Sequence, residues 1–158
     1  MSSFGISTRP KSFPKAILWG GLVCGGLDIT AAFVVYGFFG LRPVRLLQGI
    51  AAGLLGPRSF EGGLPTAALG LFFQFFIAFS VATVYCLASG WLPVLLRRAI
   101  VCGALYGVVV YFFMNRIVVP LSAARKYPFS LRMMVIGVII HIFCVGLPVA
   151  IAARRFLA

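Results

Sequence analysis

The sequence predicts an all-α membrane protein: a bundle of four transmembrane helices with a short interfacial helix between the first and second spans. Of its 158 residues, 62% are hydrophobic and 10% are charged, and the mean hydropathy is +1.10. Soluble proteins carry about 25% charged residues. Four apolar runs also reach the roughly 20 residues that cross a bilayer. The whole chain, 1–158, is therefore predicted to form one integral membrane domain.

The four apolar runs predict the bounds of the spans. They lie near residues 16–39, 66–89, 99–119 and 131–153. The basic first 15 residues resemble the start of a signal peptide, but the apolar run continues through VVYGFF, so we expect an uncleaved first helix. Four spans place both termini on one side of the membrane. Basic residues divide evenly between the two sides, and the basic segment before the first span favours cytoplasmic termini.

The segment RPVRLLQGIAAGLLG between the first two spans predicts the interfacial helix, near residues 43–56. Pro43 suits the first turn of a helix. A re-entrant segment that faces a substrate is the alternative interpretation. Helical spacing predicts an apolar stripe and a second face. The stripe contains Val44, Leu47, Ala51 and Leu55, and the other face contains Arg45, Gln48 and Ala52.

The chain is strongly basic, with 14 Lys and Arg, 2 acidic residues and a formal net charge of +12. In a soluble protein this charge would indicate nucleic acid. Here the basic residues lie between the apolar runs, and no basic stripe with interleaved aromatic residues is present. Such flanking residues anchor helices at anionic lipid headgroups. The predicted partner is therefore the lipid bilayer, and nucleic-acid binding is not expected.

Small and polar residues share one face of the predicted spans. Helices in lipid associate through small residues and hydrogen bonds because no hydrophobic effect drives them together. In three spans the face with glycine also carries a strongly polar residue, so we expect Asp28, Gln74 and His141 to point into the bundle. The three faces are Gly21, Gly25, Asp28 and Ala32; Gly70, Gln74, Ala78 and Val81; and Gly137, His141, Cys144 and Pro148.

Asp28 and His141 are predicted to lie near the bilayer midplane. At 1.5 Å per residue, Asp28 lies roughly 16 to 18 Å into its span and His141 roughly 15 Å into its own. A charge at that depth costs about 2.5 to 3.5 kcal/mol. Asp28 avoids this cost by staying protonated, by pairing with protonated His141 or by pairing with Arg116. His141 is the expected partner, because Arg116 lies on the opposite face of its helix from Gly103 and is expected to reach toward the headgroups.

The sequence carries no pattern of a cofactor or catalytic site. The four cysteines, Cys24, Cys86, Cys102 and Cys144, form no C-x-x-C pair, so we expect neither a redox motif nor a metal site. One histidine does not make a haem site. No serine or cysteine has a base at a recognisable spacing. The chain is therefore not predicted to be an enzyme.

These observations favour small-solute or proton-linked transport or permeation through a midplane polar site. Asp28 and His141 would form that site, and Gln74, Asn115 and Arg116 are the other candidate residues. Four spans make a narrow bundle, so a pathway would require a homo-oligomer. The alternative is a non-catalytic accessory or scaffold subunit of a larger membrane complex. The polar residues would then only fix the register of the helices.

Three segments carry a resemblance to a known family: IAAGLLGPRSFEGGLPTAALGLFFQFFIAF, YFFMNRIVVPLS and IIHIFCVGLPVAIAARR. They resemble small bacterial inner-membrane proteins of the YagU type, over the second half of the chain and the first loop. The resemblance implies a bacterial source and a multi-span inner-membrane fold. Proteins of this type often carry His where this chain has Gln74. The resemblance implies no catalytic mechanism.

Overall fold

The structure is a computed structural model that describes residues 12–125 and 129–158, and these residues form helices and no strand. Arg9, Lys11 and Lys126 lie outside the described residues. Four helices are long and apolar enough to cross a membrane, so the predicted fold class is confirmed. The helices are α1 (Phe13–Phe38), α2 (Pro43–Leu55), α3 (Gly63–Trp91), the one-turn α4 (Val94–Arg97), α5 (Ala99–Leu121) and α6 (Leu131–Leu157).

Three short stretches depart from regular α-helix. A 3₁₀ turn over Gly56–Phe60 connects α2 to α3, and its reversal uses positive φ at Gly56 (63°) and Gly63 (61°). Glycine adopts this backbone region without the steric cost of a side chain. In addition, α5 has a π-helical segment at Met114–Val118, and α6 has another at His141–Gly146. Segments of this kind are rare and occur frequently at functional sites.

Helix α1 packs between α3 and α6, and α6 in turn packs between α1 and α5. Tyrosine hydroxyls strengthen the contacts of the outer helices. Tyr106 of α5 donates to the carbonyl of Val81 of α3 at 2.8 Å, and Tyr85 of α3 donates to the carbonyl of Leu95 at 3.0 Å. The two rings meet edge to face, with centroids 5.0 Å apart. These two tyrosines therefore have a packing role.

The predicted glycine faces are the places where the spans touch. Gly21 and Gly25 of α1 lie against the rings of Phe79 and Phe75 of α3, while Gly20 lies against α6. This arrangement lets one helix contact two neighbours at once. Association through close backbone contact is the expected mode in lipid.

The contact between α5 and α6 is a close one, backbone against backbone. A Cβ added at Gly107 would lie 2.8 Å from Cα of Ile142 and would also meet the carbonyl oxygen of His141. Gly146 packs in the same way on Gly103 and Gly107. The π-helical segment of α6 therefore rests directly on the glycines of α5.

Packing is uneven along the bundle. The terminal-side half, nearest the two chain ends, contains the hydrophobic core, and there the backbone N–H of Ser12 donates to the carbonyl of Phe156 at 3.0 Å. In the loop-side half, residues 31–38 of α1, 111–121 of α5 and 131–144 of α6 include no buried residue. α1 also makes little contact with Leu131–Ile140. Packing is therefore tighter toward the termini than toward the α5–α6 loop, where the guanidinium group of Arg132 lies over the ring of Phe39.

Helix α2 packs on the start of α3, and its buried face differs from the predicted one. Leu46, Gln48, Ala51 and Ala52 are buried, whereas Val44 and Leu55 are exposed. The prediction placed Gln48 and Ala52 away from the apolar stripe, and this was wrong. The reason is that α3 offers polar groups to α2: Gln48 Nε2 donates to the carbonyl of Gly63 at 3.0 Å. The carbonyl of Leu47 also packs at Gly70, where no side chain intervenes.

The glycine contact between α5 and α6 predicts different costs for two Gly→Ala substitutions. Gly107→Ala should lower the free energy of unfolding by about 1 to 3 kcal/mol, because the added methyl group meets backbone atoms that cannot move aside. Gly26→Ala is the matched control, since a Cβ there has nothing within 4 Å. The control should leave stability unchanged or raise it slightly. Thermal unfolding in one detergent measures both; equal melting temperatures would contradict the contact.

Candidate functional site

The candidate site is a polar pair that joins the middle of α1 to the middle of α3. Gln74 Nε2 donates a hydrogen bond to Asp28 Oδ2 at 2.8 Å, and both side chains are partly buried. Asp28 is one of two acidic residues in the chain, and Glu61, the other, is exposed at the turn before α3. The bond therefore ties the one acidic residue of the spans to the neighbouring helix.

The glycine face of α1 positions this pair. Gly21 and Gly25 bring α1 against α3, and Asp28 lies one turn further along the same face. At 1.5 Å per residue, Asp28 and Gln74 each lie about 15 Å from the loop-side end of their helix. That depth is the middle of a hydrocarbon core about 30 Å thick. The antiparallel contact of α1 with α3 thus aligns the two side chains at the midplane.

His141 does not pair with Asp28, contrary to the expectation from the sequence. Its Nδ1 lies 2.9 Å from the carbonyl oxygen of Gly137 on the same helix. A carbonyl oxygen only accepts, so Nδ1 carries the proton of this hydrogen bond. The ring meets Tyr111 of α5 edge to face, with centroids 5.2 Å apart. Helical spacing indicated an inward residue at mid-depth, but α6 turns this side chain toward α5.

Asn115 and Arg116 lie in the π-helical segment of α5 and do not reach Asp28. Asn115 Nδ2 donates to the carbonyl of Tyr111 at 2.9 Å, four residues earlier in the same helix. Arg116 is exposed, and no ion pair with Asp28 forms. Asn115 and His141 thus make equivalent bonds, each to a carbonyl that precedes a π-helical segment by a few residues. Both carbonyls also accept a backbone N–H, from Met114 and from His141, so each side chain adds a second bond to a carbonyl that is already paired.

On α6, the carboxyl group of Asp28 influences Cys144, which the sequence placed on the same face as His141. The carboxyl group of Asp28 is within electrostatic range of the thiols of Cys24 and Cys144. All four cysteines are free thiols. Among residues 12–125 and 129–158, no three His, Cys, Asp or Glu side chains come together as metal ligands. The surroundings of Asp28 are therefore an amide, two thiols and apolar groups.

A second polar cluster, which the sequence did not reveal, fastens α2 and the 3₁₀ turn to α3. The hydroxyl of Thr66 donates to the carbonyl of Ser59 at 2.7 Å, and Gln48 bonds to Gly63 and Thr66. Ser59 is fully buried, and its own hydroxyl has no partner within the described part of the chain. The sequence signal was a set of small polar residues flanking a Gly- and Pro-rich turn. This cluster shapes the loop-side end of α3.

The Asp28–Gln74 pair joins a carboxyl group to a neutral amide. The amide N–H of Gln74 can bond to an oxygen of either a carboxylate or a carboxylic acid. An arginine or lysine partner would instead bring a fixed charge. Within the described ranges, Asp28 makes no further hydrogen bond or ion pair, so Oδ1 is available to a ligand. The hydrogen bond therefore holds the carboxyl group in place without adding a fixed charge.

A double-mutant cycle should identify the partner of Asp28. Asp28→Ala and Gln74→Ala should couple by about 0.6 to 1.7 kcal/mol in unfolding free energy, the range measured for hydrogen bonds inside membranes. Asp28→Ala and His141→Ala should be additive within about 0.5 kcal/mol, because they share no partner. Equilibrium unfolding in mixed micelles gives both couplings. A larger coupling with His141 than with Gln74 would contradict the observed pairing.

Comparison with models of protein families finds no match for the chain, and neither functionally described proteins nor solved structures match it. The fold and the polar pair are therefore the basis for a functional interpretation. Together they establish a helical membrane protein with four helices able to span the bilayer and a hydrogen-bonded carboxyl group at mid-depth.

Proposed function

We propose that the chain is a small transport or permeation protein that uses a proton-linked polar site at the bilayer midplane. The observation that carries this proposal is the hydrogen bond between Asp28 and Gln74 inside the spans. Ionisable side chains at this depth are costly, and in membrane proteins they commonly mark ion and substrate pathways. A role in fixing helix register alone would need only a neutral pair.

The partner of Asp28 supports reversible proton exchange. Gln74 is a neutral donor and does not cancel the charge of a carboxylate, so the free energy of that charge depends on what reaches Asp28 from outside the pair. A proton or a cationic group would relieve the cost of about 2.5 to 3.5 kcal/mol for an isolated charge at the midplane. The energy of the Asp28 carboxyl group would therefore change when a proton or a cationic ligand binds to it.

The less tightly packed loop-side half supports a route to this site. Residues 31–38 of α1 and Leu131–Ile140 of α6 make little contact, and neither stretch includes a buried residue. At the end of this region Arg132 lies over the ring of Phe39, and Asp28 lies further along α1 toward the middle of the helix. His141 and Asn115 are at the same side of the bundle and would line the approach. On the terminal side, the packed core would require a conformational change or a second chain to complete a pathway.

The proposal includes a homo-oligomer in the bacterial inner membrane. A bundle of four spans is narrow, and association of copies would supply the remaining wall of a pathway. The resemblance to bacterial inner-membrane proteins of the YagU type supports the location, and the basic segment before α1 supports cytoplasmic termini. No enzymatic step forms part of the proposal.

Flux in proteoliposomes tests the role of the midplane site. With a pH gradient across the vesicle, proton flux through the wild-type protein should exceed that of empty vesicles, and Asp28→Asn should abolish the excess. Asparagine keeps the shape and an acceptor for Gln74 but cannot lose a proton. His141→Gln keeps a donor for the Gly137 carbonyl and should reduce the flux.

Ser80→Ala is the matched control, because Ser80 of α3 is exposed and bonds only to its own helix, at the carbonyl of Phe76. Elution volume and helical circular dichroism establish folding of each variant. If Asp28→Asn and His141→Gln both fold, insert and leave the flux unchanged, transport at this site is excluded. A stoichiometric larger protein that copurifies in mild detergent would instead support the accessory-subunit function.

Cysteine labelling tests the proposed orientation. In a background without native cysteines, Ala158→Cys lies at the terminal side and Ser130→Cys lies at the loop side. A membrane-impermeant maleimide added to intact spheroplasts should label Ser130→Cys and should reach Ala158→Cys only after lysis. The reverse pattern would place the termini outside, and labelling of both in intact cells would contradict the four-span topology.

A further inference from the structure

A groove of about 440 Å³ lies on the surface of the bundle, where α5 begins and α6 ends. It belongs to the terminal side and is remote from the Asp28–Gln74 pair, which lies at the middle of α1 and α3. Two arginines and four apolar side chains line it. They are Arg154, Arg155, Ala99, Ile100, Ile151 and Ala158.

The wall of the groove is apolar and faces lipid. Ala99 at its base is 1% exposed, whereas Ile100 and Ile151 are 66% and 55% exposed. An exposed isoleucine on a membrane-spanning helix contacts hydrocarbon chains. The small side chain of Ala99 leaves a depression between the two helices, with a shape and polarity that suit an acyl chain.

The two arginines at the mouth of the groove have no acidic side chain as a partner among the described residues. Arg154 and Arg155 are exposed in the last turn of α6, and neither forms an ion pair with a described residue. The chain has two acidic residues. Asp28 is partly buried at the middle of α1 and Glu61 is at the loop side, so neither side chain can neutralise these arginines.

The depth of the two arginines fits a headgroup. They lie about 5 to 6 Å beyond Ile151 along α6, at 1.5 Å per residue. A lipid whose acyl chain covers Ile100 and Ile151 would therefore place its phosphate at the level of the guanidinium groups. Arginine bonds to phosphate oxygens in a bidentate manner, with directed N–H groups.

We propose that this groove is a binding site for one anionic glycerophospholipid. The phosphodiester contacts Arg154 and Arg155, and one acyl chain lies along Ile100 and Ile151. Basic pockets between membrane helices bind anionic headgroups in this way. A zwitterionic lipid brings its own cation to the headgroup, so the uncompensated arginines favour a lipid with net negative charge.

Native mass spectrometry of the full chain in detergent tests the site, with phosphatidylglycerol and phosphatidylcholine as probes. The wild-type protein should bind one phosphatidylglycerol more tightly than phosphatidylcholine. Arg154→Gln with Arg155→Gln should weaken phosphatidylglycerol binding about 30-fold, from the contribution of each arginine near an anionic surface. Ile151→Trp keeps both charges, fills the groove and should also weaken binding.

Arg58→Gln with Arg125→Gln is the matched control, because it removes two exposed charges from the loop side. It should leave phosphatidylglycerol binding unchanged; equal losses in both double variants would mean general charge attraction and would overturn the site. Inorganic phosphate should not displace the lipid, since it has no chain for the groove, and displacement by phosphate alone would count against the proposal. If Ile151→Trp separates a dimer without affecting lipid binding, the groove is an interface between copies and the proposal is wrong.

Discussion

The rest of the structure depends on the contact that α1 makes with α3 and α6 at its glycines. In hydrocarbon, helices gain nothing from hiding apolar surface, so they associate where small residues permit close approach. Gly20, Gly21 and Gly25 allow α1 to do this on two sides. The same face continues to Asp28, and the contact with α3 sets Gln74 opposite it. Packing geometry thus determines the polar partner, because the side chains meet where the backbones have already been brought together.

The two π-helical segments show how α5 and α6 combine irregular backbone with close contact. A π turn adds a residue to the helix. Asn115 and His141 supply side-chain donors near these turns, at the carbonyls of Tyr111 and Gly137. The turn in α6 then fits against Gly107 without a side chain between them. The side chains of Asn115 and His141 therefore bond to backbone carbonyls. Asp28 makes no hydrogen bond to the backbone, so its carboxyl group is the candidate for a functional role.

Much of the fold could be predicted because apolar run length, glycine spacing and flanking charge each reflect a constraint of the bilayer. The four spans and the contacts of Gly21, Gly25, Gly103 and Gly107 follow from these patterns. The partner of Asp28 could not be predicted, since helical spacing shows that Gln74 and His141 point inward but not which neighbour each one meets. The buried face of α2 was not predicted either. Gln48 is a polar residue, and it is buried because its amide group donates to the carbonyl of Gly63. Pairing depends on the order of the helices around the bundle. The spacing of residues within one helix carries no information about that order.

The bond from Ser12 to Phe156 and the position of α1 between α3 and α6 have a consequence for biogenesis. The earliest span is the one on which the last span docks, so the bundle cannot close until α6 has left the insertion machinery. Once α3 is inserted, Gln74 can donate its hydrogen bond to Asp28. The hairpin of α1 and α3 then shields the carboxyl group from lipid while α5 and α6 are still being synthesised. Gly20 already meets Ala82 of α3 in this hairpin, and its contacts with Val149 and Ala152 form only when α6 is inserted. The Asp28 carboxyl group thus gains its hydrogen-bond partner early in synthesis, and the apolar core is completed when α6 docks.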